Sequence, residues 1–390
     1  MTIMIDMINI NEKAPRKLGL YIHIPFCRTK CLYCDFCSFV SRDTNEREHY
    51  IEALCAEIRS KSNFDYDVDS IYFGGGTPSL LTAGQIALIL STVRTSFQVT
   101  SNAEITLECN PMTHISDGEE YFGALRTLGV NRLSLGVQSA VDSELKLIGR
   151  RHSFEEAQKT FFDARKSGFD NISIDLMVGI PSQTLDTLRF SLSEFINLGA
   201  EHISIYSLQL EEGTPLYKMQ NRYNIADDDT VADMLLLVND EMRKAGYSHY
   251  EISNFSKNGR ESRHNSKYWQ LDEYIGLGLA AHSDFAGVRS ENTCDMESYL
   301  RGEYLLSENE IGLLEREVEF IMLGLRMSQG ISKSEFINRF KIDFDEKYGS
   351  KLNSLKEFIS ISENGDRIAL NERGFQVSNT ILAHILDFKY

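Results

Sequence analysis

The sequence predicts an α/β fold: a partial, six-stranded (β/α)6 barrel of the TIM type, followed by a smaller C-terminal helical or winged-helix-like domain. Three observations carry this. Six short apolar runs alternate with amphipathic segments over the first two hundred residues; candidate reactive residues stand at the ends of those runs; and the texture changes to charged helical segments from about residue 300. Alternation of strand and helix predicts parallel βαβ units, and reactive residues at strand C-termini favour a barrel.

The runs near 18–24, 70–73, 103–109, 131–137, 171–178 and 202–208 are short, rich in β-branched or aromatic residues, and bounded by Gly, Asn, Pro or Asp. Segments 45–60, 84–96, 118–128, 153–168 and 184–198 repeat apolar residues every three or four positions and read as the intervening helices. An extension to about 290 holds one clear helix near 229–245. Beyond it, 315–327 is the most amphipathic stretch, and a β-like run follows near 366–377. The domain division is therefore an N-terminal extension over 1–17, a core over 18–290 and a C-terminal domain over 300–390.

With 390 residues and 42% hydrophobic composition, the chain can bury a large core. A formal charge of −17 argues against nucleic acid and against attraction to anionic lipid, leaving at most peripheral membrane contact. The first ten residues carry Asp6 and lack a basic leader, so they do not read as a signal peptide, and no apolar run has membrane-spanning length. Seven cysteines fit a reducing, cytoplasmic setting better than a disulfide scaffold.

Four of the seven lie between 27 and 37, just after the first strand. Cys27-x3-Cys31-x2-Cys34 can wrap one face of an iron–sulfur cube and leave the fourth iron without a protein ligand. A zinc site is the competing reading, with Cys37 as fourth thiolate. Cys55, Cys109 and Cys294 read as ordinary buried thiols, although Cys109 lies beside Glu108. Gly74, Gly75 and Gly76 follow the second strand and allow close approach of backbone to a ligand, as they would in a plain turn. Glu108 ends the third strand, where a buried carboxylate needs partners.

The cysteine loop, within YIHIPFCRTKCLYCDFC, resembles the radical-SAM superfamily, and with the later FGGGTPSLL it is similar to the group containing oxygen-independent coproporphyrinogen III oxidase and the HemW-type heme chaperones. The resemblance implies a [4Fe-4S] cluster on Cys27, Cys31 and Cys34 whose open iron binds S-adenosylmethionine (SAM). It places Gly75, Gly76 and Thr77 at the methionine end of SAM, and Glu108, Gln138, Arg150 and Asp175 among its further contacts. Arg151 leaves the arginine's register uncertain by one residue. Tyr21 and Tyr33 pack around cluster and adenosine on this reading.

Within the group, the oxidase pattern has a fourth cysteine two residues after the third, where this chain has Phe36, and a longer segment before the cluster loop. The HemW-type features lie in 250–283, where His264-Asn265-x-x-Tyr268-Trp269 matches a heme-associated HNxxYW motif. A neutral imidazole is a good axial ligand for heme iron, and Tyr268 and Trp269 can cover a porphyrin face. The resemblance implies a heme carrier with His264 on the iron and a heme-accepting protein, such as one in a respiratory complex, as partner. Oxidase activity and radical opening of the heme macrocycle are the enzymatic alternatives. Turnover of SAM and a homodimer are both compatible with the resemblance.

Overall fold

The computed structural model describes residues 16–387, apart from 42, 112, 115 and 258. The expected N-terminal extension over 1–17 therefore lies almost wholly outside the described residues. Six parallel strands form the centre of the molecule: β1 (Arg16–Ile24), β2 (Asn63–Gly75), β3 (Phe97–Cys109), β4 (Arg132–Gln138), β5 (Ile172–Val178) and β6 (His202–Ser207). They pair in sequence order, β1 with β2 through β5 with β6. Between them run α1 (Thr44–Ser60), α2 (Ala83–Ser96), α3 (Gly118–Leu128), α4 (Phe154–Lys166) and α5 (Leu185–Leu198).

Local chemistry sets these boundaries. Thr82 with Gln85 and Ser153 with Glu156 form reciprocal caps that satisfy the first free amides of α2 and α4. Gly129 (φ 96°) and Gly199 (φ 75°) end α3 and α5 in the left-handed conformation that costs glycine little. The strands are covered on both faces, so β5 is buried at nearly every position, as parallel strands under helices must be.

The extension is richer than the single helix expected over 229–245, which is α6 (Asp228–Lys244). It also supplies β7 (Ser248–Glu251), β8 (Asn254–Ser256), α7 (Arg263–Gln270), β9 (Tyr274–Leu277), β10 (His282–Phe285), β11 (Val288–Asn292) and β12 (Leu305–Glu310). The whole sheet runs β12-β11-β10-β9-β1-β2-β3-β4-β5-β6-β8-β7, so the extension lengthens both edges of the six-stranded core. β9 joins β1 in parallel, while β8 joins β6 antiparallel.

Glu57 of α1 fastens the β9 edge. Its fully buried carboxylate accepts from the Gly278 amide (2.8 Å), Asn292 Nδ2 (2.7 Å) and the Tyr299 hydroxyl (2.6 Å), and pairs with Lys61 (2.8 Å).

The main sheet continues to Glu310, ten residues past the boundary expected at 300. A second apolar core then gathers Phe320 of α8 (Leu313–Gly324), Phe336 of α9 (Lys333–Phe340), Phe344 of α10 (Phe344–Asn353) and Ile381 of α11 (Ser378–Leu386). Three short strands, Ile331–Ser332, Ile359–Ile361 and Arg367–Leu370, complete it. The β-like run expected over 366–377 is strand only to Leu370; Glu372–Gln376 is helical, capped by Asn371. Among the described residues no helix is long and apolar enough to cross a membrane.

Candidate functional site

The C-terminal ends of β2 to β6 open into one cavity of about 580 Å³. Cys27, Cys31 and Cys34 stand on its rim, all free thiols. Burial raises the Cys27 and Cys34 thiols above their ordinary range, and each feels the charge of Cys31. The loop that carries them is tied down along its length. The Leu32 amide donates to Ile148 O (3.0 Å), Leu32 O accepts from the Leu216 amide (2.9 Å), and Lys30 Nζ donates to Phe36 O (2.9 Å).

Cys37 forms a disulfide with Cys294. This corrects the reading of Cys294 as an ordinary buried thiol, and it occupies the sulfur that a zinc site would need as its fourth ligand. Their separation of 257 residues left no local signal for the pairing. His23 secures the same point: its Nε2 donates to the Cys37 carbonyl (2.9 Å), so Nδ1 accepts from the Tyr21 hydroxyl (3.1 Å).

The glycine run is held against the start of the cysteine loop. The Gly76 amide donates to Ile24 O and the Thr77 amide to Phe26 O, both at 2.8 Å. A Cβ on Gly76 would lie 2.7 Å from Phe26 O, and Gly75 has φ +108° with the His23 ring above it. Close packing thus requires glycine at both positions, while the Thr77 hydroxyl turns to Cys27 Sγ at 3.6 Å.

Glu108 and Asp175 face the cavity from β3 and β5. Burial raises the Glu108 carboxyl to about 7, against the pull of the Tyr72 hydroxyl, which donates to Oε1 at 2.8 Å. Burial raises Asp175 to about 6, opposed by the Ser134 hydroxyl at 3.2 Å. Gln138 has φ 79°, unusual for a residue with a side chain, and accepts from the Tyr206 hydroxyl at 2.7 Å. Arg150 lines the cavity and donates to the Tyr33 hydroxyl at 3.3 Å, while Arg151 is exposed.

The cavity therefore gathers Cys27, Cys31, Cys34, Tyr33, Gly75, Gly76, Thr77, Glu108, Gln138, Arg150 and Asp175. Tyr21 is not on its wall; it stacks behind Tyr72. Sequence reasoning missed Tyr72, Arg132, Ser134, Ser204, Tyr206 and Asn254. A signal existed in β4, where Arg132, Ser134, Gly136 and Gln138 alternate with Leu133, Leu135 and Val137 and so share the inner face.

The HNxxYW segment is α7, which packs against β2. Glu104 accepts from the Arg263 and His264 amides, both at 3.2 Å, as a carboxylate at a helix N-terminus should. His264 is fully buried. Nδ1 meets Ser70 Oγ at 3.0 Å and Nε2 meets the Tyr268 hydroxyl at 2.8 Å, with the Tyr72 ring stacked at 5.3 Å. Where a ligand-ready imidazole was expected, both ring nitrogens are already engaged. Only Asn265 of this segment reaches the cavity wall.

Comparison with known proteins fits this arrangement. Residues 21–194 match the model of the radical SAM superfamily, and residues 313–377 match the HemN C-terminal domain. The heme chaperone HemW of Lactococcus lactis is 35% identical over 372 residues, covering 94% of this chain and 96% of its own. The chain belongs to the HemW family. HemW of Bacillus subtilis is 34% identical, over 94% of this chain and 98% of its own. A mitochondrial radical SAM domain-containing protein 1 of Mus musculus is 34% identical, over 82% and 76%. The solved structure of HemN, the coproporphyrinogen III oxidase of Escherichia coli, superposes with a TM-score of 0.82 over 95% of this chain and 90% of its own; at 22% identity this speaks for the fold alone. The radical SAM fold implies a [4Fe-4S] cluster and SAM, and the residues present suit them: three free thiols, a side-chain-free turn and a polar barrel mouth share one cavity.

Proposed function

We propose that this HemW family member is a heme carrier that delivers heme to an acceptor protein, with a [4Fe-4S] cluster on Cys27, Cys31 and Cys34 and SAM bound across the mouth of the barrel. The observation that carries the cofactor half is the convergence of the three free thiols with Gly75, Gly76, Thr77, Glu108, Gln138, Arg150 and Asp175 on one cavity. When bound, the cluster supplies an electron to the sulfonium of SAM. The chain's own residues orient the ligand. Arg150 presents a guanidinium to the methionine carboxylate, and Glu108, Gln138 and Asp175 offer acceptors to its ammonium and ribose hydroxyls. Tyr72 and Ser134 fix the two carboxyls from behind.

The names of the relatives support the heme half. His264, with Tyr268 and Trp269, is the proposed heme contact, and ligation requires Nε2 to give up the Tyr268 hydroxyl. Decarboxylation of coproporphyrinogen III is disfavoured by Phe36, which is 61% exposed where the oxidase pattern has cysteine, and by the engagement of Cys37 with Cys294.

The test is anaerobic incubation of the reconstituted protein with heme, SAM and a one-electron reductant, then with a heme-free acceptor. Intact heme appearing in the acceptor supports the carrier. Loss of carboxyl groups from added coproporphyrinogen III, or opening of the heme ring, contradicts it. In a parallel heme titration, His264→Ala should weaken binding by about tenfold or more; an unchanged titration removes His264 as the ligand.

A further inference from the structure

The cavity carries a second guanidinium besides that of Arg150. Arg132 is 1% exposed, yet its side chain makes no hydrogen bond or ion pair with any described residue, and its Nε is enclosed without a partner. It lines the cavity with Ser134, Ser204, Asn254 and Asn265; Asn254 Oδ1 is likewise enclosed and unpartnered, as is Arg150 Nε, although Arg150, unlike Arg132, still donates to the Tyr33 hydroxyl. A buried guanidinium without hydrogen bonds is costly. Such groups persist where a ligand completes them.

SAM has one carboxylate, whereas the cavity has two guanidiniums. Arg150 reaches β4 at Gly136, where an added Cβ would lie 2.9 Å from Nη2. Gly136 stands four residues beyond Arg132 on the same strand, about 13 Å at strand rise. The two arginines thus serve different depths: Arg150 the rim beside Tyr33, Arg132 the floor.

The chemistry of the floor narrows the ligand. A planar guanidinium binds a carboxylate or phosphate through paired hydrogen bonds. Glu108 and Asp175 both lie within electrostatic reach of Arg132. Their negative charge opposes a dianion, so a monoanion is favoured. Asn254, Asn265, Ser134 and Ser204 add amide and hydroxyl groups that suit a small polar molecule.

We infer that the barrel floor is a second ligand subsite, separate from that of SAM, in which Arg132 holds the carboxylate of a small monocarboxylic acid. The inference rests on the reading of Arg150 as the anchor for SAM's carboxylate. It gives the HNxxYW segment a role in the cavity through Asn265, on the residue next to His264.

The experiment uses the full-length protein with its cluster reconstituted, wild type and the variants Arg132→Gln, Arg132→Lys and Arg150→Gln. Propionate is the probe, its neutral isostere propionamide the control. Binding is followed by saturation-transfer NMR with and without SAM, and SAM affinity by calorimetry. Propionate should bind the SAM-loaded wild type, propionamide should not, and Arg132→Gln should lose propionate by at least about tenfold while holding SAM within about threefold. Arg132→Lys keeps the charge, should retain part of the propionate binding, and stands in if the glutamine variant does not fold.

Equal loss of SAM affinity in Arg132→Gln and Arg150→Gln would overturn the inference, because Arg132 would then belong to SAM. Absence of propionate binding to the wild type, or binding that ignores Arg132, would reduce Arg132 to a counter-ion for Glu108 and Asp175 and also overturn it. Failure of SAM to bind any of the four proteins would defeat the cofactor reading instead, and the propionate series would still report on the floor.

Discussion

Glu108 and Asp175 release their protons at higher pH than ordinary carboxyls do, because the barrel wall has replaced water around them. For Glu108 the folded value of about 7 lies above the ordinary 4.5. Its contribution to stability is therefore complete below about pH 4.5 and is lost as the pH rises through 7. In the ligand-free protein, Glu108→Gln should gain on the order of 2–3 kcal/mol relative to wild type between pH 5 and pH 8 in urea unfolding; parallel pH curves would show that Glu108 is not desolvated. His264 behaves in the opposite sense, since burial lowers its imidazole to about 3 and it stays neutral at every working pH. Access, not protonation, limits its use as a ligand. Tyr268→Phe frees Nε2 and should tighten heme binding, whereas a hydroxyl needed to seat the heme would make the same variant bind more weakly. The sequence identified these side chains by type and spacing. It could not show that His264 already satisfies both nitrogens, because Ser70 lies 194 residues away.

Among the elements, the short strands were least legible. The six barrel strands and their helices announce themselves by apolar period and by glycine or capping residues, and the five helices and four of the strands lie within two residues of expectation; β2 and β3 begin six or seven residues earlier than the expected 70–73 and 103–109, where polar residues interrupt the apolar run. β7 to β11 are three to five residues each, too short for a period to register. Their place is set by distant partners, and for the β9 and β11 edge by the Glu57 network. Glu57→Ala would leave the Gly278 amide, Asn292 and Tyr299 without their acceptor and should destabilise the fold by about 3 kcal/mol or more, measured by denaturant unfolding. A loss below about 1 kcal/mol would mean that this edge is not fastened through α1. The Cys37–Cys294 bridge joins the end of the cluster loop to the turn after β11. Treatment with a dithiol, or Cys294→Ser, should lower stability by about 2–4 kcal/mol; an unchanged melting curve would show the bridge absent in solution.

At the scale of the whole molecule, parallel strand order places every strand's C-terminal end at one mouth, and that is where chemistry-bearing residues far apart in sequence meet. This much followed from alternation of strand and helix alone. The contribution of Asn254 and of Asn265 on α7 to the cavity wall did not, since it depends on the extension folding back across the sheet. On the proposed function, Cys27, Cys31 and Cys34 at the mouth would hold a [4Fe-4S] cluster that takes SAM. Electron paramagnetic resonance of the anaerobically reconstituted, reduced protein tests it most directly. The expected [4Fe-4S] signal changes on addition of SAM, loses that response in Arg150→Gln, and disappears in Cys34→Ala. A protein that takes up zinc instead of iron and sulfide, or a cluster signal indifferent to SAM, would contradict it.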